Sequence, residues 1–294
     1  MGRKRVLSDE GQRLFNVSLR KPPGYGCVKS ILHNLFTSDF DTNLDASSKQ
    51  MRKASMKLYS YLNKNGRKCI PNLIDNAIVN IILLIMLTDD KINNLQRVKY
   101  NIHYYTHLAK RAHKEGDHHT AILIKAALEN SVLRRLKLKT NKGEKKILQK
   151  LEEDYGTFMN CNSQHLRNIL SSREEDIENF LPSIMVLLMH LDKTYAYAKS
   201  YKQMGLVSDR LINTQYQLSQ IADDYYSHYK NFKVNLVELY LQSPLEDEIM
   251  KKQPSKDICA KLYDISYEIL PASIKTSTLK RTKNNKSILT CHKN

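Results

Sequence analysis

Five of the ten histidines fall between residues 103 and 119. His103 and His107 stand four residues apart, so a helix would place both on one face, the spacing of a metal-binding pair. A hydrolytic zinc helix also needs a glutamate between them, and none is there. His113, His118 and His119 would join such a site only if the chain folded back at Gly116. The expectation is therefore a partly exposed polar helix face and no metal. Gly24-Tyr25-Gly26-Cys27-Val28-Lys29-Ser30 has the outline of a phosphate loop. That loop requires glycine directly before the lysine, and Val28 stands there, so a plain turn is expected. Cys27, Cys69, Cys161, Cys259 and Cys291 contain no pair at metal or redox spacing, which points to a reducing compartment without a disulfide framework. Nothing local ties a serine or cysteine nucleophile to a base. Neither a cofactor nor covalent catalysis is expected.

The elements that position these residues read as helices. At 41% hydrophobic and 26% charged, the 294-residue chain has the composition of neither a disordered polymer nor a membrane protein. Its basic start is followed by no apolar h-region, so no secretory signal is expected, and Val6 breaks a myristoylation pattern. The longest apolar stretch, Leu73–Leu87, is interrupted by Asp75, Asn76 and Asn80. It falls short of the roughly 20 residues of a membrane span and reads as a buried helix. With 9 Gly, 7 Pro and no period-2 runs, the fold class is all-α. Helices are predicted near 49–62, 72–88, 92–114, 118–130, 131–139, 144–155, 163–171, 181–200, 206–230, 233–242 and 256–270, with Asp117 as an N-cap. Breaker residues at Pro22–Gly26 and the Ser/Asp/Thr-rich 37–48 read as loops. Three parts follow: a basic, partly helical region 1–70, a helical domain 71–271 and a basic, disordered tail 272–294.

The net charge of +17 is unevenly spread. Residues 1–70 hold 14 basic and 5 acidic side chains, 272–294 hold 6 basic and none acidic, and 71–271 hold 27 basic and 25 acidic. A nucleic-acid-binding body would carry its cations on the folded face, so nucleic acid is not the expected partner. The basic ends suit an anionic membrane surface. Within the body, the run Arg134 to Lys150 alternates with Leu133, Leu136 and Leu138 and reads as a solvated helical face. The 17 tyrosines, mostly at helical spacing, read as core and interface residues.

The order of several segments is more specific. Asn94-Leu95-Gln96-Arg97-Val98 opens a long amphipathic helix ending at Lys114-Glu115-Gly116-Asp117-His118-His119. Ala121–Leu128 follows, and then Asn130-Ser131-Val132-Leu133-Arg134-Arg135-Leu136-Lys137. Further along come Gln164–Leu170, Phe180–Thr194, a second long helix over Leu206–Tyr225 and Lys261–Pro271. In this order and spacing the segments resemble the catalytic domain of Ras-family guanine-nucleotide exchange factors, over about 72–271. The chain departs from the family pattern at several points. Asp117-His118-His119 replaces an Asn-Phe-Asn turn, and Glu129 replaces the first Asn of an Asn-Ser-Ser. The Thr-Trp after Lys137 is missing, an acidic insert spans Arg173–Glu178, and Ala196 stands where the family's hairpin glutamate aligns. The family's usual N-terminal helper domain has no clear match in 1–70.

The resemblance implies a multi-helix domain with a protruding helical hairpin, about 181–230, that wedges into a small GTPase beside its nucleotide. It implies no covalent chemistry. Exchange works by favouring the nucleotide-free GTPase. On that reading Leu191, Asp192, Lys193 and Tyr195 form the catalytic hairpin tip, with Asp192 substituting one turn early for the missing glutamate. Glu129, Asn130, Arg134, His118 and His119 contact the GTPase, while Arg97, Arg135 and Leu136 support the hairpin. The expected setting is a monomer in the cytoplasm, peripheral at membranes, and a stripped exchange domain suits a bacterial effector delivered into a host cell. Two rival readings follow from the same residues. The losses at Ala196 and the Asn positions would suit a GTPase-binding module without exchange activity. The basic ends would suit a helical binder of nucleic acid or anionic membrane.

Overall fold

Apolar residues at helical spacing give ten α-helices and a single two-residue ladder in a computed structural model that describes residues 40–63, 66–88, 91–156, 164–172, 176–233 and 256–271. The turn at 24–30, the helix expected over 233–242 and the tail 272–294 fall outside those residues, apart from Lys233 itself, which is not helical.

Helix α1 spans Phe40–Tyr59 and α2 spans Ile70–Met86. A loop had been expected through residue 48, because Ser, Asp and Thr have weak helix propensity. Tertiary contact overrides it: Asn43, Leu44, Ser47 and Ser48 are buried. Ser47 Oγ lies 2.6 Å from the Tyr104 hydroxyl, and Ser48 Oγ donates to Glu115 at 2.6 Å. The small polar side chains let α1 lie close against the helix that carries those partners. In α2, Pro71 occupies the first turn, where its missing N–H costs nothing. The apolar stretch noted above is indeed buried, through Leu73, Ile74, Ala77, Ile81, Ile82, Ile85 and Met86.

Strands β1, Leu87–Thr88, and β2, Lys91–Ile92, pair antiparallel with Leu87 opposite Ile92. They are too short to leave a period-2 signal. Helix α3, Leu95–Lys114, begins at Asn94, whose side chain accepts from Arg97 N at 2.9 Å. Helix α4, His118–Leu128, begins at the expected cap Asp117, which accepts from Thr120 N at 3.0 Å. Helix α5 covers only Ser131–Arg135. It was expected to reach 139, but Leu136 turns into the core and Lys137 takes φ 47, ending the helix. Helix α6, Lys142–Tyr155, starts with a capping box between Asn141 and Glu144. Helices α7, Gln164–Ser171, α8, Ile184–Gln203, α9, Asp209–Tyr229, and α10, Lys256–Ile269, complete the order.

Helices α3 and α4 pack as the central pair, with α2 against α4 and α1 and α6 against α3. Leu44, Ala54, Leu58, Tyr59 and Leu62 belong to the same hydrophobic cluster as the later helices. The core therefore begins well before residue 71, and α1 is part of it. Gly116 makes the sharp turn between α3 and α4 with φ +76. Its carbonyl accepts from Leu181 N at 2.8 Å, and His119 N donates to Leu181 O at 3.2 Å. The segment before α8 is thereby stitched to the start of α4.

A Cβ at Gly116 would come within 2.0 Å of the Asn179 carbonyl oxygen. Gly116→Ala combines that clash with a left-handed backbone, and is expected to cost at least about 2 kcal/mol. The check is a urea titration: the midpoint should fall with an unchanged slope.

Candidate functional site

Helices α8 and α9 form an antiparallel hairpin, the element singled out in the sequence. Ser183 caps α8, its hydroxyl accepting from Val186 N at 3.4 Å. At the far end Gly205, with φ +70, closes α8 in a Schellman arrangement: Gly205 N donates to Lys202 O at 3.1 Å and Leu206 N to Tyr201 O at 2.9 Å.

The hairpin has two unlike halves. Its inner half is core: Ile184, Val186, Leu187, Leu188, Leu191 and Thr194 of α8 are buried, as are Leu218, Ala222, Tyr225 and Tyr229 of α9. Its outer half stands in solvent. Eight of the eleven exposed large hydrophobic residues among the described residues lie between Tyr195 and Tyr216. Tyr195 is 61% exposed, Val207 77% and Tyr216 70%. A cleft of about 500 Å³ opens between the two helices there, lined by Tyr195, Tyr201, Leu206, Val207, Leu211 and Ile212 among others. Concentrated exposed apolar surface of this kind marks an interaction site.

The base of the hairpin is fixed by tyrosines. Tyr59 of α1 donates to Pro182 O, Tyr225 to Phe180 O, and Tyr229 to Ile177 O at 3.2 Å. The Tyr59 ring lies 4.8 Å from that of Tyr225 and 5.6 Å from that of Tyr229. Burial pushes the Tyr59 and Tyr225 phenols well up and that of Tyr229 to about 12, so all three stay protonated donors. Arg52 adds bonds to Glu115 O, at 2.9 Å, and to Glu178 O.

The site residues expected from sequence do not all gather at the tip. Leu191 is buried inside α8, so it is core. Asp192 is exposed and Lys193 half-buried, at the level where α8 leaves the core, and Tyr195 starts the exposed half. The tip itself is Met204–Val207, which the sequence reading did not single out, although its unbroken Met-Gly-Leu-Val was a signal. Asp192 and Ala196 are both exposed one turn apart on α8, so an acid does occupy that face. Glu129 pairs with Lys125 at 2.7 Å, Asn130 caps α5, and the Arg134 side chain is exposed. Leu136 is core. Arg97 lies over the Tyr100 ring at 5.5 Å. Arg135 is structural, but it clasps α10 rather than the hairpin: it donates to Ser266 O and Leu270 O, each at 2.6 Å, and stacks on Tyr267 at 3.5 Å.

His119 is buried and His118 half-buried in the wall beneath the hairpin. The Tyr155 hydroxyl lies 2.7 Å from Nδ1 of both His113 and His118. The His118 ring is 4.9 Å from His165 and 4.8 Å from Phe180, and His165 Nε2 accepts from Ser183 N at 3.0 Å. This knot joins α3, α4, α6 and α7 to the start of α8. His119 is 1% exposed, and neither ring nitrogen has a hydrogen-bond partner among the described residues. His103 Nδ1 sits 2.7 Å from Glu144 Oε1, and the His103 and His107 rings are 4.5 Å apart. Among the described residues no three His, Cys, Asp or Glu side chains converge as metal ligands, and no helix is long and apolar enough to cross a membrane.

Burial lowers His118 to about 4 and His119 to about 3, and depresses His113 and His165 as well. Between these values and the unfolded value near 6.5, only the unfolded chain binds the protons. Stability is therefore full above about pH 6.5 and is lost as pH falls toward 4. His119→Leu removes one such group while keeping an apolar filler. Relative to the parent, the variant should gain about 2 kcal/mol between pH 7.5 and pH 5, read from urea midpoints at the two pH values.

No protein-family model matches the chain, and no curated protein matches its sequence.

Proposed function

We propose that the chain is a guanine-nucleotide exchange factor for a Ras-family small GTPase, with the outer half of the α8–α9 hairpin as the engaging surface. The observation that carries the reading is the contrast along the hairpin. Its inner half is clasped by Tyr59, Tyr225 and Tyr229, and its outer half presents Tyr195, Tyr201, Leu206, Val207 and Ile212 to solvent. A surface held this way is pre-ordered, so binding spends little on ordering it.

Exchange requires no bond chemistry. A wedge that binds the nucleotide-free GTPase more tightly than the nucleotide-bound form lowers nucleotide affinity by the same factor, because the coupling is reciprocal. In this reading Asp192 supplies the negative charge that competes for the cations and amides holding the phosphates. Arg134, exposed at the end of α5, is the anchoring candidate beside Glu129 and Asn130, and the buried His119 drops out.

The experiment is release of a fluorescent GDP analogue from a panel of Ras-family GTPases with the full chain added. Acceleration for at least one member is expected. Tyr195→Asp with Leu206→Asp should reduce it on the order of 30-fold, as expected for loss of apolar anchors worth about 2 kcal/mol. Asp192→Ala should slow release further while leaving the urea midpoint unchanged, since all three side chains are exposed. Binding without acceleration would reassign the chain as a GTPase-binding module, and absence of binding across the panel would sink the proposal.

A further inference from the structure

Between Arg134 and Lys146 the surface carries six cations and no anion. Arg134, Lys137, Lys139, Lys142, Lys145 and Lys146 are all exposed, and among the described residues none makes an ion pair or side-chain hydrogen bond. The only acid in the stretch is Glu144, whose carboxylate is turned inward, accepting from Asn141 N at 2.5 Å and meeting His103 Nδ1 at 2.7 Å. Arg135 is likewise taken inside by α10, and Lys150, further along α6, is paired with Asp154 at 2.8 Å. The fold thus withdraws the negative charge and leaves the positive charge outside.

The placement is also electrostatically unfavourable for the chain alone. Lys142, Lys145 and Lys146 sit on one face of the first turns of α6, where the helix macrodipole is positive and favours anions. An external anionic partner would relieve both the dipole clash and the mutual repulsion of the lysines.

The composition of the patch selects the partner. Five of the six cations are lysines, hydrated point charges without the planar fork that reads bases and phosphates in pairs. No aromatic side chain lies within residues 134–150, and the exposed tyrosines beside them, Tyr263 and Tyr267, are engaged by Ser131 and the Arg135 guanidinium rather than left free to stack on a base. Clusters of four to eight basic residues without such features bind anionic lipid headgroups. We propose that the Arg134–Lys146 surface docks the protein on an anionic lipid bilayer. This surface is separate from the hairpin and shares only Arg134 with the GTPase contact proposed above, and the proposal does not depend on exchange activity.

The test is co-sedimentation of the full chain with vesicles of phosphatidylcholine alone or with about 30 mol% phosphatidylserine, at about 0.1 M salt. Binding is expected only to the phosphatidylserine vesicles. The triple variant Lys142→Gln/Lys145→Gln/Lys146→Gln should lower partitioning on the order of 100-fold, since each lysine near the surface contributes about a factor of five. A control triple, Lys53→Gln/Lys68→Gln/Lys230→Gln, removes the same net charge at exposed positions on other elements and should retain most of the binding. Circular dichroism should show both triples folded, the first at least as stable as the parent because it unloads the α6 terminus. Equal losses in the two triples would assign binding to net charge or to the basic ends and overturn the proposal. So would undiminished binding by the first triple, or absence of vesicle binding by the parent. Tighter binding of an oligonucleotide than of vesicles, lost in the same triple, would overturn it in favour of nucleic acid.

Discussion

Everything at the hairpin depends on the segment 177–182, which leads into α8 without forming a helix and buries Ile177, Leu181 and Pro182 while Glu178 and Asn179 stay exposed. Where its backbone carbonyls are shielded from water they must find donors inside the protein. Three tyrosine hydroxyls provide them: Tyr59 to Pro182, Tyr225 to Phe180 and Tyr229 to Ile177. Two of these tyrosines come from α9 and one from α1, so the bonds that satisfy the segment also fasten the two ends of the hairpin to the first helix. Leu181, in the middle, pairs its own N–H and C=O with Gly116 and His119. Between them these bonds leave little freedom in how α8 emerges from the core.

That constraint explains the company the hairpin keeps. The positive φ of Gly116 brings the α3–α4 turn close enough to bond Leu181, and a buried acid, Asp117, caps α4 at the same point. Burial raises the Asp117 carboxyl, while bonds from Thr120 and Ser55 oppose the rise, so α1 again supports the junction. The histidines fill the space on the other side, where neutral imidazoles serve as hydrogen-bonding fillers around Tyr155 and Ser183. Clasped at its base, the hairpin carries its exposed apolar residues at its outer end.

Long periodic segments were legible in the sequence because their apolar stripes are strong: α2, α3, α8 and α9 fall within a few residues of where the spacing predicts them. Short elements were not. The β1–β2 ladder has no room for alternation, and α5 stops at Arg135 because Leu136 is needed in the core, a tertiary demand that local pattern does not carry. The start of α1 was hidden for a similar reason, since Asn43, Ser47 and Ser48 look like loop residues until Tyr104 and Glu115 arrive from α3. At the site, the hairpin itself was legible and the division of its residues was not. Leu191 and Tyr195 look alike as apolar positions on one helix, and only the packing of α8 separates the buried one from the exposed one. His118 and His119 read as polar surface because the sequence did not reveal that α6, α7 and Phe180 close over them.

The account turns on the outer half of the hairpin being where a GTPase sits. Tyrosine and methionine side chains are oxidised readily when exposed, and Tyr195, Tyr197, Tyr201, Met204 and Tyr216 all lie on that half. Hydroxyl-radical footprinting of the full chain, alone and with a nucleotide-free Ras-family GTPase, reads them directly. The account predicts that these five positions become protected when the GTPase binds. Unchanged oxidation at Tyr195, Tyr201 and Met204 in a complex that demonstrably forms would contradict it.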